Sequence, residues 1–242
     1  IIYISHSIDS EIRKKFSNTF IYIFTKYLEG LMFKYADIAT SVSKYEKNKI
    51  KNIYNVNTVL YPNAINVSYK IKKKKIKEDY IFYSGSYLYK PNKNAIDYLN
   101  NKIMPSLLKK YPKLKLVLTG GGFKKKYPWI INKNIVPKND LYNLIYHSKC
   151  ICVPLNFGSG TRIKIIEALS IGAIVISSIK GIEGIEINKK NPPFVLKNNG
   201  KFINTIDYVV KNNKIIKRNS IKSKNYYLKK YSMKKITNNF LK

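Results

Sequence analysis

The sequence predicts an α/β protein built on doubly wound, Rossmann-like parallel sheets, and three observations carry that prediction. Apolar runs long enough for buried strands recur at Tyr80–Ser84, Leu114–Thr119, Cys150–Val153 and Ala173–Ser177. Segments with apolar residues at helical spacing lie between them, such as Ile96, Leu99, Ile103 and Leu107. Glycines stand where strands end, at Gly85, at Gly120–Gly122 and at Gly158 and Gly160. Strand, glycine turn, helix, strand is the right-handed crossover unit of a parallel sheet. Ligands on such sheets sit at the carboxyl ends of the strands, where these turns lie.

With 242 residues, the chain can bury a substantial core in one large or two small units. No apolar run approaches the roughly 18 residues needed to span a bilayer. The opening Ile1-Ile-Tyr-Ile4 reads as a buried strand and not as a signal peptide, so the expectation is a chain whose beginning is missing. The formal charge of +33 arises from 46 basic and 13 acidic residues, and arginine occurs only at positions 13, 162 and 218. Lys, Ile, Asn and Tyr are abundant together, as an A/T-rich genome would produce, which accounts for much of the charge without a functional cause. Such a surface still attracts polyanions and anionic lipid headgroups, less so as salt rises.

Cys150 and Cys152 share one face of a strand, too close for an unstrained disulfide, and read as small core residues in a reducing, cytosolic setting. No Asp-x-Asp pair and no His/Cys/Glu cluster has ligand spacing, so neither a metal nor another cofactor is expected.

Taken in order, residues 1–65 read as strand Ile1–Ser5, one or two helices from Asp9 to Tyr35, strand Asp37–Ser43, basic helix Lys44–Tyr54 and strand Asn57–Tyr61. The turn cluster Pro62–Asn66 closes this unit. Residues 66–78 form a lysine-rich linker without apolar period, read as solvated loop. A second unit, 79–230, opens on Tyr80–Ser84 and continues through a helix over Lys93–Lys110 and strand Leu114–Thr119. A short strand and turn at Asn134–Pro137 and a helix over Asp140–His147 come next. After Cys150–Val153 and Ala173–Ser177 come edge strand Phe194–Leu196 and helices over Lys201–Asn212 and Lys214–Leu228. Residues 231–242 hold a last helix, Met233–Leu241, with Ser232 as its N-cap. His147 fits a helix-end residue favoured by the dipole better than a catalytic one.

The stretch that organises the chain is Pro154-Leu-Asn-Phe-Gly158-Ser159-Gly160-Thr161-Arg162-Ile-Lys164-Ile-Ile-Glu167-Ala-Leu169. On a helix starting near Thr161, Ile165, Ile166 and Leu169 face the sheet, while Thr161, Lys164 and Glu167 follow one another along the other side. Unpaired N–H groups, glycines that admit a ligand to the backbone, and a lysine one turn in suit a diphosphate. Glu167 is too far along to be a cap and suits two neighbouring hydroxyls, as on a ribose. Arg162 projects toward the apolar side and is expected to pair structurally at the strand end. The plain alternative is a common α/β turn with Lys164 and Glu167 as a surface i, i+3 pair.

The segment Phe157–Gly172, with Val175-Ile-Ser-Ser and Gly181-Ile-Glu-Gly184, resembles the donor-binding signature of family-4-type (group 1), GT-B fold, retaining glycosyltransferases. The resemblance implies that Glu167 binds the nucleotide ribose, and that Lys164 and the amides of Gly158, Ser159, Gly160 and Thr161, beside Arg162, hold the diphosphate. Many members carry a Glu where this chain has Ser159, which bears on recognition of the sugar.

Degenerate counterparts of three N-terminal motifs stand in the family's order: His6-Ser-Ile-Asp9, Ala36-Asp-Ile-Ala-Thr-Ser-Val-Ser43 and Pro62-Asn-Ala-Ile-Asn66. By that likeness His6 faces the reacting sugar, and 1–65 is the end of an acceptor-side domain whose first part is missing. Gly85 and Ser86 approach the donor phosphates, with Lys90 or Lys93 in place of an absent arginine, and the backbone at Val136 holds the base. Glu183 and Glu186 help shape the donor pocket, and the last helix crosses back to the first unit.

The implied activity is metal-independent, retaining transfer from a nucleotide sugar to a glycan or lipid-linked acceptor, in the cytoplasm or at the inner face of an anionic membrane. No specific nucleic acid is expected as a partner. Two rivals are a polyanion- or nucleic-acid-binding module, motivated by the charge, and a catalytically degenerate nucleotide-sugar-binding relative, motivated by Ser159 and Ser86.

Overall fold

The computed structural model describes residues 1–66, 72–73 and 76–240. Its strands fall into two parallel sheets. The first is three-stranded, in the order β1 (Ile2–Tyr3), β2 (Ile38–Ser41), β3 (Val59–Leu60). Helices α1 (Asp9–Phe16) and α2 (Thr19–Tyr35) connect β1 to β2, and α3 (Lys44–Tyr54) connects β2 to β3. Asn18 caps α2 by accepting from Ile21 N, and Ser43 caps α3 by accepting from Glu46 N. The strands are shorter than expected because Ile1, Ile2, Ile4, Val59 and Leu60 are exposed and only the central strand is covered.

The second sheet has six strands: β4 (Tyr80–Ser84), β5 (Lys115–Thr119), β6 (Ile130–Asn132), β7 (Cys150–Val153), β8 (Val175–Ser178) and β9 (Phe194–Leu196). Their order is β6-β5-β4-β7-β8-β9, all parallel. Counted within this sheet that is 3-2-1-4-5-6, the Rossmann order, with its reversal between β4 and β7. Central strands β4 and β7 are buried on both faces, which explains their unbroken apolar runs. Cys150 and Cys152 are both buried and free, with sulfurs 3.6 Å apart.

The helix between β4 and β5 starts earlier than its apolar period suggests. It runs as α4 (Lys90–Tyr98), a π turn over Leu99–Ile103, and α5 (Met104–Leu108). Pro91 sits in the first turn of α4, where a missing N–H costs nothing. The strand expected at Asn134–Pro137 is a turn, and pairing occurs instead at β6. Asn134 takes φ +52° and Ile135 is 84% exposed, so this backbone turns away from the sheet.

Helix α6 (Lys138–His147) precedes β7, and α7 (Ile163–Ile171) joins β7 to β8. After β8 the chain passes through α8 (Ile179–Ile182) to β9, then α9 (Phe202–Lys211), α10 (Asn213–Tyr231) and α11 (Met233–Phe240). Helix α10 packs along α7, so residues 165–171 are all buried and α7 is not the half-exposed helix the sequence suggests. Ser232 Oγ accepts from Lys235 N as the expected cap, and Ile65 forms a parallel bridge with Ser232.

Much of the lysine-rich linker, and position 241 of the last helix, lie outside the described residues. Among the described linker residues Asn66, Lys72, Lys73, Lys77 and Glu78 are exposed loop, as expected, but the segment is tied down at Lys72 and Ile76. Lys72 N donates to Asn143 Oδ1, His147 Nε2 lies 2.8 Å from Lys72 O, and Ile76 is buried in the main core. His147 thus serves the linker, in keeping with a helix-end role.

Candidate active site

The strand order reverses between β4 and β7, and most of the candidate residues lie on the loops and helix at the carboxyl ends of these two strands. A Cβ on Gly120 would lie 2.4 Å from Gly85 C and 2.8 Å from Ser86 N, so glycine is what lets the loops after β4 and β5 touch backbone to backbone. Asn92, in the first turn of α4, organises this corner. Its Nδ2 donates to Ser86 O (3.1 Å), while its Oδ1 accepts from Tyr83 Oη (2.8 Å) and from Lys164 Nζ (2.9 Å).

Lys164, from α7, therefore reaches across to the end of β4. Its Nζ is 3.3 Å from Tyr83 Oη and 4.3 Å from the tyrosine ring centre. Burial, and secondarily the charge of Arg162, lowers its pKa to about 7. An anion arriving here would restore the charge on Lys164. Neither Asn92 nor Tyr83 stood out in the sequence, because both lie far along the chain from the motif they complete. Lys90 and Lys93 are turned onto the rings of Phe16 and Tyr87, 4.2 and 5.7 Å from their centres.

Glu167 lies one turn further along α7, 9% exposed, and its Oε1 accepts from Tyr142 Oη of α6 at 2.9 Å. Lys138 Nζ is 3.6 Å from the same oxygen. The side chain is thus engaged with α6 and is not one half of a surface pair with Lys164. Val136 is half-buried in the turn that precedes α6.

The turn Gly158–Thr161 is clasped by the first unit. Ile8 N donates to Ser159 Oγ at 3.0 Å, and Asn63 Nδ2 donates to Thr161 Oγ1 at 2.6 Å. Glu46 of α3 places Oε1 2.8 Å from Gly160 N and 3.2 Å from Ser159 Oγ. The amide that the sequence reading assigns to a diphosphate donates here to a protein carboxylate, because a free N–H beside a helix start attracts the nearest anion. Burial raises the pKa of Glu46, against the lowering effect of the Gly160 and Ser159 hydrogen bonds and of Arg162. Its Oε2 has no partner among the described residues. The only sequence signal for Glu46 was its place three residues after Ser43, a capping-box spacing; its side chain instead crosses to the other unit.

Arg162 is the N-cap residue of α7, buried, and donates through Nη1 to Ser159 O at 3.1 Å, as its projected structural role requires. Its Nη2 has no partner among the described residues, and burial lowers its pKa. His6 presents its carbonyl oxygen to Gly160, where an added Cβ would come within 2.5 Å, and its Nδ1 lies 3.3 Å from Asn63 Oδ1. Glu183 and Glu186 are taken by other partners. Glu183 pairs with Lys180, and Glu186 pairs with Lys230 of α10. Among the described residues, no group of three or more His, Cys, Asp or Glu side chains is placed to hold a metal ion, and no helix is long and apolar enough to cross a membrane.

A Rossmann-order sheet with a glycine turn, lysine and glutamate at its reversal, joined to part of a second parallel sheet, is an architecture of the GT-B kind. The family profile described as "Glycosyl transferases group 1" matches residues 78–212, and the chain belongs to that family. Solved structures agree on the fold. Sucrose-phosphate synthase from Thermosynechococcus elongatus superposes with a TM-score of 0.78 at 13% identity, covering 99% of this chain and 65% of that one. A mutant of S. aureus TarM, in complex with fondaparinux, α-GlcNAc-glycerol and UDP, gives 0.76 at 15% identity over 99% of this chain and 50% of that one. Anabaena HepE in complex with UDP-glucose gives 0.75 at 11% identity over 98% and 70%. The chain thus spans one half to about two thirds of the length of these proteins. No curated protein sequence matches it.

Proposed function

We propose that this chain carries the donor site of a retaining, metal-independent glycosyltransferase that moves a hexosyl unit from a nucleotide sugar to a glycan or lipid-linked acceptor. The observation that carries the reading is the meeting, through Asn92, of the Gly85–Ser86 loop with Lys164, which follows the Gly158–Thr161 turn on α7 one turn before Glu167. In this reading the diphosphate lies against the turn and the start of α7, where backbone N–H groups and the Lys164 ammonium stabilise charge on the leaving group. Glu167, held by Tyr142, accepts from ribose hydroxyls, and the base rests on the backbone near Val136. Residues 1–65 form the acceptor side, with His6 at the reacting sugar. Complexes of TarM with UDP and of HepE with UDP-glucose support nucleotide-sugar use by analogy. The setting is cytoplasmic, with peripheral contact to anionic membrane through the lysine-rich surface.

Seating a diphosphate on the Gly160 amide requires Glu46 to leave it, so donor binding opens or shifts the clasp between the two units. The reading is tested by titrating nucleoside diphosphates into the wild-type chain and the Glu167→Ala variant by calorimetry. Losing charge-assisted hydrogen bonds worth about 1.5–3 kcal/mol weakens binding roughly ten- to hundredfold. Unchanged affinity removes Glu167 from the ribose role. Binding of polynucleotides that is steep in salt and indifferent to Glu167 and Lys164 would favour the nucleic-acid rival instead.

A further inference from the structure

Beside the glycine turn lies a cleft of about 480 Å³ walled by both units, with neither Lys164 nor Glu167 in its lining. Helix α1 supplies Glu11, Lys14, Lys15 and Phe16; α3 supplies Lys49, the turn Gly158, and α8 Lys180. Its size suits a small saccharide, since ligand pockets run from about 300 to 1,000 Å³. Its charge is unusual even for this chain. About one residue in five is basic overall, whereas half of the residues lining the cleft are lysines.

Two of these ammonium groups are already neutralised. Lys49 Nζ donates to both oxygens of Glu11, at 2.7 and 2.6 Å, and Lys180 pairs with Glu183. Lys14 and Lys15 are exposed and have no carboxylate partner among the described residues. Behind them, Arg162 turns its unpartnered Nη2 toward Gly158, and a Cβ at that position would sit 3.1 Å from it. The glycine therefore keeps the backbone between cleft and guanidinium uncovered. Two exposed ammonium groups without a carboxylate partner, Lys14 resting 6.0 Å from the centre of the Tyr22 ring, with one unpartnered guanidinium nitrogen behind the glycine that lines the cleft, make a receptor for a compact anion.

We infer that this cleft receives an acceptor saccharide bearing a phosphate or carboxylate group, with Lys14 and Lys15 on the anion and Arg162 backing the turn. The inference rests on the donor-site reading above. If the nucleotide lies along α7, the second substrate must approach from the facing wall, and that wall is α1 and α3.

The test uses the whole chain, with glucose 6-phosphate, neutral glucose and UDP as separate probes followed by calorimetry. Lys14→Gln/Lys15→Gln removes the exposed pair without touching the core. Lys109→Gln/Lys113→Gln removes the same charge near the opposite ends of the strands. Glucose 6-phosphate is expected to bind at least about tenfold more tightly than glucose, as one charge-assisted contact confers. The Lys14/Lys15 variant is expected to lose about that factor while UDP binding stays unchanged, and the control variant to lose nothing. Equal binding of glucose and its phosphate overturns the inference. So does an equal loss in the control variant, which would assign the effect to overall charge, and so does full competition by UDP, which would place the anion in the donor site. Failure of UDP itself to bind brings down the donor reading, an outcome distinct from a failure of glucose 6-phosphate alone.

Discussion

The two sheets of this chain are held together in different ways. Among the described residues, the six-stranded sheet sits in one continuous cluster of buried apolar side chains running from Ile65 to Tyr231. The three-stranded sheet has a separate cluster of four, Ile8, Phe33, Ala39 and Ile50. Around it the apolar residues Phe20, Tyr27 and Tyr35 of α2 are more than 60% exposed. What the small unit lacks in buried area is partly met by polar ties to its larger neighbour, from Ile8, Glu46 and Asn63 to the Gly158–Thr161 turn. The difference teaches that the large unit is organised by its own core, while the small one is placed by ties to it: the hydrogen bonds at the candidate site, Ile65 in the large core, and the ring pairs Phe16–Phe157 and Tyr61–Phe240. A ligand at that turn therefore bears on the relation between the two units.

The sharpest way to break this comparison is to empty one core at a time. Phe82→Ala, in the middle of β4, is expected to cost about 3–5 kcal/mol and lower the single denaturant transition of the whole chain, with nucleotide binding lost alongside. Phe33→Ala deletes a ring equally buried, packed 4.9 Å from Tyr3 and 5.2 Å from Tyr54. Its damage should appear as faster hydrogen exchange confined to residues 1–66, with the six-stranded sheet still protected. Exchange rising equally in both units would show a single cooperative core.

Gly160→Ala attacks the clasp. Its φ of +78° disfavours any side chain, and the new methyl would press on the His6 carbonyl. A loss of about 1–3 kcal/mol is expected, with early loss of exchange protection at the Ile8 amide.

Lys164 belongs wholly to the large unit, so its signature should survive that break. The folded pKa of about 7 lies below the ordinary 10.5, so the unfolded chain holds more protons between those values and stability rises with pH across that window. Nucleotide binding behaves in the opposite way. An anion raises the pKa of Lys164 and so draws in a proton, and UDP affinity should fall as pH climbs above about 7. Lys164→Met should bind more weakly and show no such slope. A slope that persists in the variant would assign the proton elsewhere.

The smallest effect is expected at Glu46. Its folded pKa lies above the ordinary 4.5, so the folded chain holds more protons just above that value and this contribution to stability declines as pH rises through the window. Glu46→Gln keeps an acceptor for the Gly160 N–H while removing a buried charge. Stability at neutral pH should be unchanged or higher by up to about 1 kcal/mol, with a flatter thermal-shift profile in acid. A clear loss of stability would show that the clasp depends on the charge itself.

Strand positions in the large sheet were legible because parallel strands covered on both faces read as near-continuous apolar runs, as at Tyr80–Tyr83, Leu116–Leu118, Cys150–Val153 and Ala173–Ile176. The exception, β6, is three residues long and followed by the more apolar-looking Asn134-Ile-Val-Pro137, which turns because Asn134 adopts a left-handed conformation that only a local hydrogen-bond context reveals. The candidate site was legible where its residues share one helix, since Lys164 and Glu167 are linked by helical spacing alone.

By itself, then, the sequence determined the alternation of strands and helices, the glycine turns and the motif on α7, because each depends on neighbours within a few residues. Only the tertiary structure decided what those motif residues touch: Asn92 and Tyr83 for Lys164, Tyr142 for Glu167, and Glu46 for the Gly160 amide. Those partners lie between 25 and 114 positions away in the chain. No local pattern encodes such distances; they are closed by the order in which the strands assemble.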